Sequence, residues 1–133
     1  MRDEIFLLGR ILFALVFLRF GVLHLTQTDG SAQYAAYKGV PNARAMVLFT
    51  GVANIAGGVA VVLGIWMDLA ALGLAIFCVL AGFFMHRFWA ETDPQTKQAE
   101  MAQFFKNISI AGGALILVAV SEQAPYTITD GLF

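Results

Sequence analysis

The sequence is short of charge and nearly free of cysteine. Asp, Glu, Lys and Arg make up 13% of the chain, against the roughly one quarter usual in soluble domains. With 133 residues, 59% of them hydrophobic, and a mean hydropathy of +0.77, a soluble fold of this size could not hide its apolar surface. Lipid must cover part of it, which excludes a stand-alone soluble enzyme. The single cysteine, Cys78, lies inside an apolar run. One thiol makes neither an internal disulfide nor a Cys-x-x-Cys redox pair. Nucleotide and flavin fingerprints are missing as well, so the chain brings no recognisable electron source of its own. Eight basic residues stand against nine acidic ones and are scattered along the chain, so nucleic acid is not an expected partner. The first apolar run is too long for a signal core and is interrupted by Arg10 and Arg19, so no cleavable signal peptide is expected. No internal repeat or low-complexity tract stands out.

What is present is a set of long apolar runs. A membrane helix needs about 20 mostly apolar residues, and four stretches qualify, at about 4–25, 43–63, 68–88 and 101–120. The runs are continuously apolar, without the alternation of barrel strands, so the expected fold is all-α: an integral membrane four-helix bundle formed by residues 1–133 as one domain. In the first connection, Ser31 is placed to cap a short surface helix carrying Tyr34, Tyr37 and Lys38, ended by Gly39 and Pro41. Trp66 suits the lipid interface between the second and third spans, and Pro94 an early turn of a helix leading into the fourth. An even number of spans puts both termini on one side. The loop side then carries Lys38, Arg44, Arg87 and Lys97, with Lys106 just inside the fourth span, while the terminal side carries Arg2 and Arg10. The positive-inside rule therefore predicts cytoplasmic loops at 26–42 and 89–100 and termini outside.

A charged group within a span costs about 2.5–3.5 kcal/mol on insertion scales, so each needs a reason. Arg19 and His24 lie toward the loop-side end of span one, His86 and Arg87 close span three, and Lys106 and Asn107 open span four. The topology alone sets all six in one layer. Arg19 either snorkels to the interface or anchors an anionic headgroup or a ligand carbonyl. His24 and His86 are either interfacial histidines bonded to backbone and water, or ligands of a small molecule. A quinone carbonyl is the better fit, since haem ligation has only the histidine pair in its favour. No metal site is expected, because the layer offers two imidazoles and no well-placed carboxylate. Gln103, Lys106 and Asn107 form a polar stripe that should face the bundle or a wet cavity. In span two, Thr50, Asn54, Gly57 and Gly58 lie along one face suited to close helix contact, with Asn54 deeper in the membrane.

Several of these segments, in order, resemble the DoxX-like membrane proteins over nearly the whole chain. They are Arg19-Phe-Gly21 followed by His24, Gly39-Val40-Pro41, and Gly51-Val-Ala-Asn54-Ile-Ala-Gly57-Gly58. Leu63-Gly64 and Leu69-Ala70-Ala71 follow, then His86-Arg87-Phe88-Trp89, Phe105-Lys106-Asn107 and Gly112-Gly113. The resemblance implies a four-helix membrane bundle in the bacterial inner membrane. It also implies an association with redox and sulfur metabolism, since the family takes its name from a subunit of a thiosulfate:quinone oxidoreductase. Two positions depart from the pattern: Asn54 stands where related sequences often have glutamate, and Asp68 where a basic residue is often seen. Two functional readings follow. One is a membrane subunit associated with a quinone-linked oxidoreductase, with Arg19, His24, His86, Lys106, Asn107 and Asn54 as a quinone or headgroup site and no assignable catalytic residue. The other is a non-catalytic structural or adaptor subunit, holding a protein partner or a second copy through its loops and the Gly57/Gly58 face.

Overall fold

The computed structural model describes residues 1–133. The chain forms α1 (Arg2–Thr26), α2 (Thr28–Tyr37), α3 (Ala43–Leu63), α4 (Met67–Met85) and α5 (Pro94–Ala119). Short 3-10 turns at Phe88–Ala90 and Ser121–Gln123 complete the order. There is no strand. Four helices, α1, α3, α4 with its following turn, and α5, are long and apolar enough to cross a membrane. The 21 residues of α3 rise about 31 Å, the thickness of a bilayer's hydrocarbon core. The molecule is an all-α membrane bundle whose outer faces contact lipid.

One helix boundary differs from the sequence expectation. Helix α2 starts at Thr28, and Ser31 lies inside it, its N–H bonded to the Gln27 carbonyl. The Thr28 hydroxyl instead donates to the carbonyls of His24 (2.8 Å) and Leu25 (3.2 Å). It thus satisfies the last acceptors of α1 while opening α2. Helix α5 begins at Pro94, as expected of the helix that leads into the fourth span. Asp93 is its N-cap, accepting from the Thr96 N–H at 2.8 Å, and Pro94 occupies the first turn, where a missing N–H costs nothing. Residues 94–100 are therefore a polar extension of the fourth helix, which carries Glu100 to the edge of the bundle.

Lipid gives apolar helices no hydrophobic reason to associate, so close packing of small residues has to hold them. Helices α1 and α3 meet where Gly21 lies against Ile55 and the Gly51 carbonyl. A Cβ at Gly21 would come within 2.6 Å of Ile55 Cγ1, and one at Gly58 within 2.9 Å of Leu18 Cδ2. Gly57 lies against Leu74 of α4, so the Gly57/Gly58 face expected to hold a partner is spent inside the bundle. Ala111 and Ala114 of α5 are buried with Ala71, Leu74, Ala75 and Cys78 of α4. Helices α1 and α5 meet instead through large side chains: Phe13 approaches Gly113, and the Lys106 ammonium lies 5.8 Å from the Phe20 ring centroid.

The terminal-side end is closed by residues 121–133. Ile128 and Thr129 donate their N–H groups to the carbonyls at Leu63 and Gly64, at 3.1–3.2 Å. Arg10, fully buried, donates to the carbonyls of Val62, Pro125 and Tyr126, each at 3.0 Å. Asp68, also fully buried, accepts from the N–H groups of Leu69 (2.8 Å), Leu132 and Phe133 (2.8 Å). The two charges thus work as backbone clamps rather than as a pair with each other. Arg10, counted in the sequence among the charges of the terminal side, is an internal fastener.

Candidate functional site

The polar residues of the loop-side layer fall into separate groups. The largest forms where the end of α2, the end of α4 and the first turns of α5 converge. Glu100 stands at its centre, with one carboxylate oxygen 2.8 Å from Lys38 Nζ and the other 2.8 Å from His86 Nδ1. Glu91 adds a second carboxylate 3.7 Å from Lys38, and Arg87 donates to the Lys38 carbonyl at 2.7 Å, covering the C-terminus of α2. The side chains of Lys38, Glu100 and His86 are 9%, 13% and 18% exposed. Screening by water is therefore weak, and an unpaired member would be costly. Burial by itself would lower the Lys38 pKa. The hydrogen bond it donates to Glu100 and the negative charge around it outweigh that and hold Lys38 above the ordinary lysine value. Burial, then the nearby Glu100 charge, pushes the Tyr34 phenol up; its ring lies 5.6 Å from the Lys38 ammonium.

The His86 tautomer follows from its partner. A carboxylate only accepts, so Nδ1 carries the proton and Nε2 is left to accept one or to bond a ligand. Around it, Phe83, Phe88, Trp89, Phe104 and Phe105 form an aromatic shelf with ring centroids 5–6 Å apart. Trp89 and Phe83 remain half exposed, as interfacial aromatics are.

His24 forms a second group. Its Nδ1 lies 3.1 Å from Thr50 Oγ1. The Thr50 hydroxyl donates back to the Met46 carbonyl at 2.8 Å, so here too Nδ1 is the donor. The histidines are tied to different helices, His24 to α3 and His86 to α5. Lys106 bonds Gln103 and points over Phe20, and Asn107 Nδ2 donates to the Gln103 carbonyl at 3.1 Å. Arg19 is exposed on the outside of α1 without a polar partner in the protein. Asn54 is different again: it is 1% exposed, and neither its Nδ2 nor its Oδ1 has a hydrogen-bond partner.

Sequence reasoning missed Glu100. The reading that the layer lacks a well-placed carboxylate fails because the fourth helix begins a full turn and more before its apolar run. The signal was legible: Glu100, Gln103 and Asn107 share a face at i, i+3, i+7. His86 and Glu100 are ligand-type side chains, and no set of three such groups converges.

The model of the family DoxX matches residues 5–87 of this chain. The chain belongs to the DoxX family. Among its DoxX relatives is inner membrane protein YphA of Escherichia coli strain K12, 28% identical over 92% of this chain and 87% of its own length. Inner membrane protein YqjF of the same organism is 31% identical over the same shares of each chain. No solved structure matches. The family match ends at Arg87, while the similarity to the two relatives extends over most of the chain, so it takes in helix α5 as well.

Proposed function

We propose that this DoxX protein is a membrane subunit of a quinone-linked redox system in the bacterial inner membrane, with His86 as the group that exchanges protons with the quinone headgroup. The observation that carries the reading is the His86–Glu100 pair. A carboxylate fixes the imidazole so that Nε2 has no hydrogen-bond partner in the protein, on a side chain that is 18% exposed and lies three residues before Trp89. Reduction of a quinone to the quinol takes up two electrons and two protons. The protons pass from water on the loop side through His86, and Glu100 positions the ring. The electrons come from a partner protein, since this chain has one cysteine and no flavin or nucleotide fingerprint. Lys106, Asn107 and Arg19 in the same layer carry N–H donors for the headgroup carbonyls, His24 has Nε2 left as an acceptor for a quinol hydroxyl, and Asn54 lies deeper. The loop side carries Lys38, Arg44, Arg87, Lys97 and Lys106. The terminal side carries Arg2 and Arg10, and this asymmetry supports a cytoplasmic loop side.

The test is quinone-dependent turnover in native membranes for His86→Gln and Glu100→Gln. Both variants should insert normally and lose the activity; full turnover in both would remove the proposal. A second reading, an adaptor subunit, is favoured by one observation. Lys38, Glu100 and His86 satisfy one another and so tie α2 to α4 and α5 without any ligand. On that reading substitution of His86 leaves quinone turnover untouched, while substitutions on the exposed face of α2 cost recovery of the partner.

A further inference from the structure

Asn54 is the twelfth residue of the 21-residue helix α3, about 16 Å from its start and about 14 Å from its end, and hence near the bilayer midplane. Its amide has two donor hydrogens and a carbonyl acceptor, yet no protein group meets any of them. Polar groups in such a position are satisfied in nearly all proteins, by protein or by internal water. The flanking turns show where a guest would come from. One turn toward the loop side on the same face stands Thr50, whose hydroxyl oxygen accepts a hydrogen bond from His24 Nδ1–H. His24 is itself half-buried and reaches the loop-side end of the bundle. Gly51, between them, leaves its side-chain space to His24 and Leu25. At the opposite end, Arg10, Asp68 and residues 121–133 seal the bundle with backbone hydrogen bonds. His24, Thr50 and Asn54 therefore form a polar series that runs from the loop-side end toward the middle of the bundle and no further.

We propose that Asn54 is the inner anchor of a water-binding site at the bilayer midplane, entered from the loop side past His24 and Thr50. Water fits both ends of the amide, accepting from Nδ2 and donating to Oδ1, and needs no charge, which the surrounding core does not offer. The site would give the protein a hydrated half-path across the membrane, and it does not rest on the quinone reading.

The test is NMR of the protein in lipid nanodiscs, with the Asn54 side-chain amide assigned by its loss in Asn54→Leu. Cross-peaks between that amide and water are expected in the unaltered protein, so the result does not depend on how any variant folds. In Thr50→Val, an isosteric change, exchange of the amide protons with solvent should slow by about tenfold, the effect of one lost hydrogen bond along the path. His86→Gln should leave both signals unchanged, which separates this site from the redox proposal. Cross-peaks to lipid or quinone protons in place of water would overturn the assignment. So would absence of any water cross-peak together with a higher Tm for Asn54→Leu, the behaviour of a dry and merely unpaired amide.

Discussion

Replacing Asp68 by asparagine tests the reading of the terminal-side closure. One carboxylate oxygen accepts from Leu69, and the other from both Leu132 and Phe133. A hydrogen bond to a charged acceptor contributes about 1.5–3 kcal/mol. Asparagine keeps one oxygen, which the adjacent Leu69 N–H can retain, and turns an NH2 group toward the two donors at the chain end. Losing both of those bonds costs roughly 3–6 kcal/mol if the segment stays in place. The protein has a cheaper response, which is to let the last residues go and return their N–H groups to water. The expected result is therefore local: release of 130–133, weaker protection at Ile128 and Thr129, and a small change in the unfolding of the helices. Hydrogen–deuterium exchange of the C-terminal peptide in detergent reads this directly. Exchange at Leu132 and Phe133 should accelerate by about a hundredfold, equivalent to ~3 kcal/mol, while peptides from α3 and α4 stay protected. Unchanged exchange at the chain end in folded Asp68→Asn protein would refute the clamp.

Other expectations follow from the same packing and charges. Lys38 has a folded pKa above its ordinary value of 10.5, so its contribution to stability is fully present below that pH and is lost as pH rises through the folded value. Thermal unfolding should therefore weaken in strongly alkaline buffer, and Lys38→Met should flatten that dependence. Gly21→Ala forces a Cβ to within 2.6 Å of Ile55 and 2.8 Å of the Gly51 carbonyl, and should cost about 1–3 kcal/mol by overpacking. Gly112→Ala, with nothing within 4 Å, should be neutral or stabilise by up to about 1 kcal/mol through helix propensity; unfolding in detergent by heat compares the two. Because Cys78 is the one cysteine and is buried, a single new cysteine at Lys97 or at Asp130 should report its side cleanly to an impermeant maleimide. Labelling of the Asp130 site from outside the cell, and of the Lys97 site only after permeabilisation, is the outcome consistent with the orientation proposed above.

The sequence by itself determined that the chain lives in a membrane and crosses it as four helices. Hydrophobic runs of bilayer length leave the backbone no other way to satisfy its N–H and C=O groups in lipid, so hydropathy alone is enough. It also set the depth of His24, His86 and Lys106, because the rise per residue converts position in a span into depth. It could not tell which polar residues in a layer touch, since that depends on helix order and rotation, and these are decided by where small residues let backbones approach. Gly21, Gly51 and Gly58 bring α1 against α3, while Phe13, Phe17 and Phe20 hold α5 further off. From that arrangement come the pairing of Glu100 with both Lys38 and His86, the separate tie of His24 to Thr50, and the isolation of Asn54. Arg10 and Asp68 illustrate the limit most plainly: 58 positions apart in the chain, they have in the sequence only their place at the terminal-side end in common. Only the return of residues 121–133 over that end, which no local pattern encodes, buries them and supplies the backbone groups they bind.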